Sequence, residues 1–123
     1  MRYMMFISHD EAVRNQEIPP ALLEAMGTFI EQNIKSGVLL DTAGLQPTAA
    51  GFRIRLAKGR LKVTDGPFTE SKEVVGGFAI CECRDRAHAL EVATKFMELH
   101  RLHWPGFESE SEIRPMFDPG LGP

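Results

Sequence analysis

Residues Tyr3-Met4-Met5-Phe6-Ile7 are apolar at every position, with none of the alternation of a strand that has one wet face. Such a run predicts a central strand covered on both sides. Pro19-Pro20 then opens a segment in which Leu22, Leu23, Met26, Phe29, Ile30 and Ile34 recur at helical spacing, and Gly37 supplies a left-handed stop, so a helix is predicted over 20–36. Val38-Leu39-Leu40 follows as a short strand and leads into a polar connection through Gly44, Pro47 and Gly51. Phe52–Leu56 and Leu61–Asp65 both alternate cleanly. With Lys58-Gly59 as a two-residue turn they form a hairpin that pairs Ala57 with Arg60, Arg55 with Lys62 and Phe52 with Asp65. One face then carries Phe52, Ile54, Leu56, Leu61, Val63 and Asp65, and the other carries Arg53, Arg55, Arg60 and Lys62.

Gly76-Gly77 precede another apolar strand, Phe78–Cys83. Asp85 is placed to cap a second helix whose inner face is Ala89, Leu90, Val92, Ala93, Phe96, Met97 and His100, and which ends before Pro105-Gly106. Ile113–Phe117 is predicted as the last strand, and Pro115 assigns it to an edge or a strand end because it has no N–H to donate. The order β-α-β, hairpin, β-α-β predicts an α+β domain over 1–117 with an antiparallel sheet, followed by a C-terminal tail over 118–123. Two helices cover only one face of such a sheet. The strands are apolar on both, so the second face is expected to pack on a second copy of the chain in a homodimer.

The length of 123 residues suits one domain, and 43% hydrophobic with 25% charged residues is ordinary for a globular protein. Fourteen Lys+Arg against seventeen Asp+Glu leave a charge of −3, which argues against a nucleic-acid partner. No apolar run is long enough for a membrane span. The first strand begins at Arg2 with no export signal ahead of it, which predicts a cytoplasmic location. Cys81 and Cys83 sit two apart in a strand and are expected to be reduced core thiols, since that spacing does not bridge easily.

The most distinctive stretch runs from Asp65-Gly66-Pro67-Phe68-Thr69-Glu70-Ser71-Lys72-Glu73 through Gly76-Gly77-Phe78. It resembles the signature of the YCII-related proteins of the DGPF group, and the similarity extends to Arg2–Met5, Gly44–Pro47 and Glu112–Pro115. The resemblance implies a ferredoxin-like fold, dimerising sheet against sheet as a dimeric α+β barrel, with no particular activity attached. Other YCII proteins are associated with a His-Asp pair whose histidine lies in the first helix. Residues 21–36 contain no histidine, so that pair does not transfer.

Asp65 ends the apolar face of the hairpin, and Pro67 removes the N–H that an Asx-turn would use. A carboxylate so placed suits a general base, with Gly66, Pro67, Phe68, Glu70 and Lys72 as the loop that would contact substrate. The competing reading is that Asp65 accepts the amides of Phe68 or Thr69 and only shapes the loop. His9, after the first strand, is the second candidate catalytic group; an ordinary surface histidine is its alternative. His100 and His103 share a helix face but lack a third ligand at usable spacing, so no metal is expected, and no motif implies a cofactor. Arg53, Arg55, Arg60 and Lys62 form a basic ladder expected to be a solvated sheet face.

The function expected is binding of a small organic molecule near the 65–72 loop, with Asp65 abstracting a proton in a cofactor-free elimination if there is catalysis. The alternatives are a non-catalytic regulatory or accessory module, suggested by the association of DGPF genes with alternative sigma factors, and monooxygenase-like chemistry by fold analogy.

Overall fold

The computed structural model describes residues 1–119; of the predicted tail, residues 120–123 lie outside the described residues. A four-stranded antiparallel sheet organises the chain: β1 (Arg2–His9), β2 (Leu39–Gly44), β5 (Val74–Glu82) and β6 (Glu110–Pro115), in the spatial order β2-β5-β1-β6. β1 is central, as its unbroken apolar run predicted, and β6 is the edge strand on which Pro115 is tolerated. Helices α1 (Pro20–Lys35) and α2 (Arg86–His103) complete a ferredoxin-like α+β fold. Pro20 opens α1, and Gly37 follows it at φ +82°. The Asp85 carboxylate caps α2 by accepting the His88 amide at 2.8 Å.

The core lies between the helices and one face of the sheet. Tyr3, Met5, Leu39, Cys81, Cys83, Ala89, Val92 and Ala93 form it, with Phe29, Ile30, Ala79 and Ile113 packed against them. Both cysteines are buried and free. Strand alternation turns Met4, Phe6, Phe78 and Ile80 to the opposite face, where they are half-buried.

β3 (Phe52–Ala57) and β4 (Arg60–Asp65) form a separate two-stranded hairpin in the register predicted, from Ala57↔Arg60 to Phe52↔Asp65. Lys58 and Gly59 both take positive φ, 53° and 75°, as the two-residue turn requires. Every residue of both strands is exposed.

Three boundaries differ from the periodicity. β2 continues through Asp41-Thr42-Ala43-Gly44 instead of breaking into a loop, because these polar residues pair with β5 and Thr42 donates its hydroxyl to the Phe78 carbonyl at 2.8 Å. β5 begins at Val74, so Gly76-Gly77 are inside the strand. A Cβ on Gly77 would stand 3.1 Å from the Ala43 carbonyl, so its glycine serves the close approach of β2. β6 starts three residues earlier than its apolar pattern and ends at Pro115, since the backbone of Glu110–Glu112 also pairs with β1.

Candidate functional site

Between the helices and the inner face of the sheet lies a cavity of about 390 Å³, within the range of small-molecule sites. Met5, Leu22, Phe29, Ala79 and Cys81 supply apolar wall, and among the described residues no Lys, Arg, Asp or Glu lines it. Two imidazoles do: His9, the last residue of β1, and His100, in the final turn of α2.

His9 is only 6% exposed, which corrects the surface reading. The strand places it: pairing with Val74 of β5 keeps β1 extended through position 9, and its side chain falls on the same side as the core. Asp10 then turns the chain by capping a 3-10 turn, Glu11–Asn15, with its carboxylate accepting the Ala12 amide at 2.9 Å. That turn brings the Asp10 carbonyl to 2.9 Å from His9 Nδ1. A carbonyl only accepts, so Nδ1 carries the proton and Nε2 of the neutral ring is an acceptor.

His100 is 8% exposed and makes the equivalent bond to the Phe96 carbonyl, at 3.0 Å. Burial pushes its pKa below the ordinary imidazole value, against a smaller opposing effect of that bond. Phe107 touches both histidines, with ring centroids 6.2 Å from His9 and 5.6 Å from His100, and it stacks on Trp104 at 4.4 Å. One end of the cavity is therefore an aromatic wall carrying two imidazoles.

A second, more open depression of about 550 Å³ lies between α2 and β6. It shares His100, Trp104 and Phe107 with the first, but Arg101, Glu98 and Glu108 also border it and His9 does not. The less open cavity, with both buried imidazoles, is the stronger candidate.

The 65–72 loop sits elsewhere. Asp65 is exposed at the end of the hairpin opposite Phe52, and neither depression is lined by Asp65, Gly66, Pro67, Phe68, Glu70 or Lys72. His9 and Asp65 do not share a cleft within this chain. The loop docks on a 3-10 turn, Thr48–Ala50. The Phe68 amide donates to Thr48 Oγ1 at 3.1 Å, so the acceptor for that amide is a threonine hydroxyl and not the Asp65 carboxylate. Glu11 holds that threonine from the other side, accepting its amide and its hydroxyl, each at 2.8 Å. The Gly66 amide donates to the Gly51 carbonyl at 2.9 Å, and the Gly66–Pro67 bond is cis.

Of the basic ladder, Arg53 is not simply solvated. Its guanidinium lies over Phe68, pairs with Glu70 and donates to Ser71 Oγ at 3.2 Å. Lys72 is exposed. Among the described residues no three His, Cys, Asp or Glu side chains cluster as metal ligands would, and no helix is long and apolar enough to cross a membrane.

Sequence reasoning placed His100 on the inner face of its helix but did not find the site it borders. Nor did it bring in Trp104 and Phe107, which lie in the Pro-Gly-bearing segment after α2 where no periodicity operates. Burial of His9 had one faint signal, its place directly after an unbroken apolar strand.

The family model for the YCII-related domain matches residues 1–97. An uncharacterised protein of Rhizobium meliloti (strain 1021) is 30% identical over 96 residues, which cover 76% of this chain and 77% of that protein. The matched region carries β1, α1, β2, β5 and most of α2, which frame the cavity, together with the hairpin, while His100, Trp104 and Phe107 lie beyond it, and the chain belongs to the YCII-related family.

Proposed function

We propose that this protein binds a small, largely apolar organic molecule in the cavity between its helices and sheet, with His9 as the polar group that receives it. The observation that carries this reading is a buried imidazole whose Nδ1 is tied to the Asp10 carbonyl, leaving Nε2 free for a cavity of ligand size that no Lys, Arg, Asp or Glu lines among the described residues. If a reaction follows binding, it is proton abstraction or elimination with His9 Nε2 as base, because a neutral imidazole takes a proton near neutral pH without a cofactor. An accessory role would suit a filled core, and the open volume supports binding over it.

Ligand-observed NMR with a panel of small uncharged fragments tests the reading. Binders are expected for the wild-type chain, and Ala79→Phe, which fills the cavity, is expected to lose them while retaining the wild-type circular dichroism. A panel without binders, or binders indifferent to the filled cavity, overturns it.

The protein is further proposed to work as a homodimer. The chain exposes 8954 Å², against roughly 6,600 Å² for a compact monomer of this mass. Phe52, Ile54, Leu56, Leu61 and Val63 are each more than half exposed on one hairpin face, a contiguous patch of the kind that partners cover. The excess surpasses the roughly 800 Å² per partner of a standard interface. Asp65, on that hairpin face, would join a site only where protomers meet. Sedimentation at micromolar concentration should give twice 13.7 kDa. A monomer there, or a dimer unaffected by Leu56→Glu with Val63→Glu, removes this proposal.

A further inference from the structure

We infer that the cavity selects an uncharged molecule with a ring-sized apolar body and an O–H group, phenolic or enolic in character, that donates to Nε2 of His9 or His100. The inference rests on the cavity being the binding site and adds the class of ligand.

The argument is one of unmatched polarity. Each histidine is more than nine-tenths buried, and each spends Nδ1–H on a backbone carbonyl, 2.9 Å to Asp10 and 3.0 Å to Phe96. In the neutral ring that bond sets the tautomer, with Nε2 as the acceptor, and neither Nε2 has a hydrogen-bond partner among the described residues. Buried polar atoms are nearly always paired, so two unpaired acceptors bordering one cavity point to a donor supplied from outside. Thr42 donates its hydroxyl to the Phe78 carbonyl and Asn33 donates its amide to the Phe29 carbonyl, both at 2.8 Å. Gln16, Trp104 and Ser111 also line the cavity, and no bond from any of them to either Nε2 is present among the described residues.

Charge disfavours ionised ligands, and the two acceptors disfavour ligands that only accept. A carboxylate or phosphate would be taken out of water with no Lys or Arg among the described residues of the wall to meet it, and a cation would find no carboxylate among them. A ketone or ether would bring an acceptor against acceptors. The volume of about 390 Å³ exceeds the roughly 150 Å³ that encloses a benzene, so a substituted ring fits with room for its hydroxyl. Phe107, close to both imidazoles and stacked on Trp104, offers that ring an aromatic surface.

The test uses the full chain at pH 8 and three probes that share a para-methyl ring: p-cresol, 4-methylanisole and 4-methylbenzoate. Chemical-shift titration is followed at the indole N–H of Trp104, the one tryptophan, which lines the cavity. p-Cresol is expected to bind about ten-fold more tightly than either of the others, the change equivalent to roughly one hydrogen bond. In His9→Phe plus His100→Phe the advantage should fall below about two-fold while 4-methylanisole keeps its affinity, and each single variant should show a partial loss. Equal binding of p-cresol and 4-methylanisole, or tighter binding of 4-methylbenzoate, overturns the ligand class but leaves the cavity a binding site. A p-cresol advantage that survives in the double variant overturns the role of the histidines. If no probe moves Trp104, both the ligand class and the site fail. The wild-type comparison stands whether or not the double variant folds.

Discussion

The guanidinium of Arg53 lies 3.7 Å from the centroid of the Phe68 ring. A basic residue of the hairpin thus holds the aromatic residue of the 65–72 loop, and the same side chain reaches Glu70 and Ser71. Arg53→Ala is expected to lower stability by only about 1 kcal/mol, because the pair is half in solvent and such contacts are individually small. Amide exchange at residues 68–71 should nevertheless quicken. Unchanged exchange there would mean that Arg53 does not anchor the loop.

A Cβ on Gly66 would stand 1.7 Å from the Thr48 carbonyl oxygen and 2.6 Å from its carbon, both backbone atoms. Neither can rotate away, so Gly66→Ala must displace the loop or the Thr48–Ala50 turn. A loss of about 1–3 kcal/mol, the usual range for overpacking, is expected in urea unfolding. Gly27→Ala is the control, since nothing lies within 4 Å of its added Cβ.

Thr48 Oγ1 accepts from the Phe68 amide and donates to Glu11. Thr48→Val keeps the shape and deprives both partners, at an expected cost of about 1–3 kcal/mol in the same measurement. Glu11→Gln should cost less, since its amide side chain can still accept from the Thr48 amide.

Burial holds the folded-state pKa of His100 below its unfolded value, so the folded protein favours the neutral ring. Between the two values the unfolded chain binds more protons, and stability therefore rises with pH. The contribution of His100 is full above the unfolded pKa, near 6.5, and is lost as pH falls from there toward the folded pKa. The slope from this one group cannot exceed about 1.4 kcal/mol per pH unit. Urea midpoints compared at pH 7.5 and 5 should fall on acidification, and the fall should shrink in His100→Phe. An equal fall in that variant would assign the acid sensitivity to other groups.

Burial, with a smaller push from Cys83, raises the pKa of the Cys81 thiol to about 11. Cys83 is shifted in the same direction, also chiefly by burial. Two units above the ordinary value leave roughly a hundred-fold less Cys81 thiolate at pH 8, and its sulfur packs 3.9 Å from Met5 Sδ. Reaction with a thiol-specific disulfide reagent should be very slow in the native protein and immediate in guanidinium. Rapid native labelling of Cys81 would show that the cavity opens to solvent.

Which parts were legible follows from the range of the forces involved. Helices, the hairpin with its Lys58-Gly59 turn, the Asp85 cap and the central position of β1 depend on periodicity and local sterics, and the residues display both. The 65–72 segment is distinctive enough to identify the family without structure. Three matters needed the tertiary structure: the continuation of β2 through Asp41–Gly44, the docking of Phe68 on Thr48 rather than Asp65, and the burial of His9 beside Phe107. In each, the deciding contact joins residues far apart in sequence, 20 positions for Phe68 with Thr48, and is selected by geometry that no local pattern encodes. The amino-acid sequence by itself determined the fold and the family; only the packing of helix ends against the sheet decided where the cavity lies and which imidazoles face it.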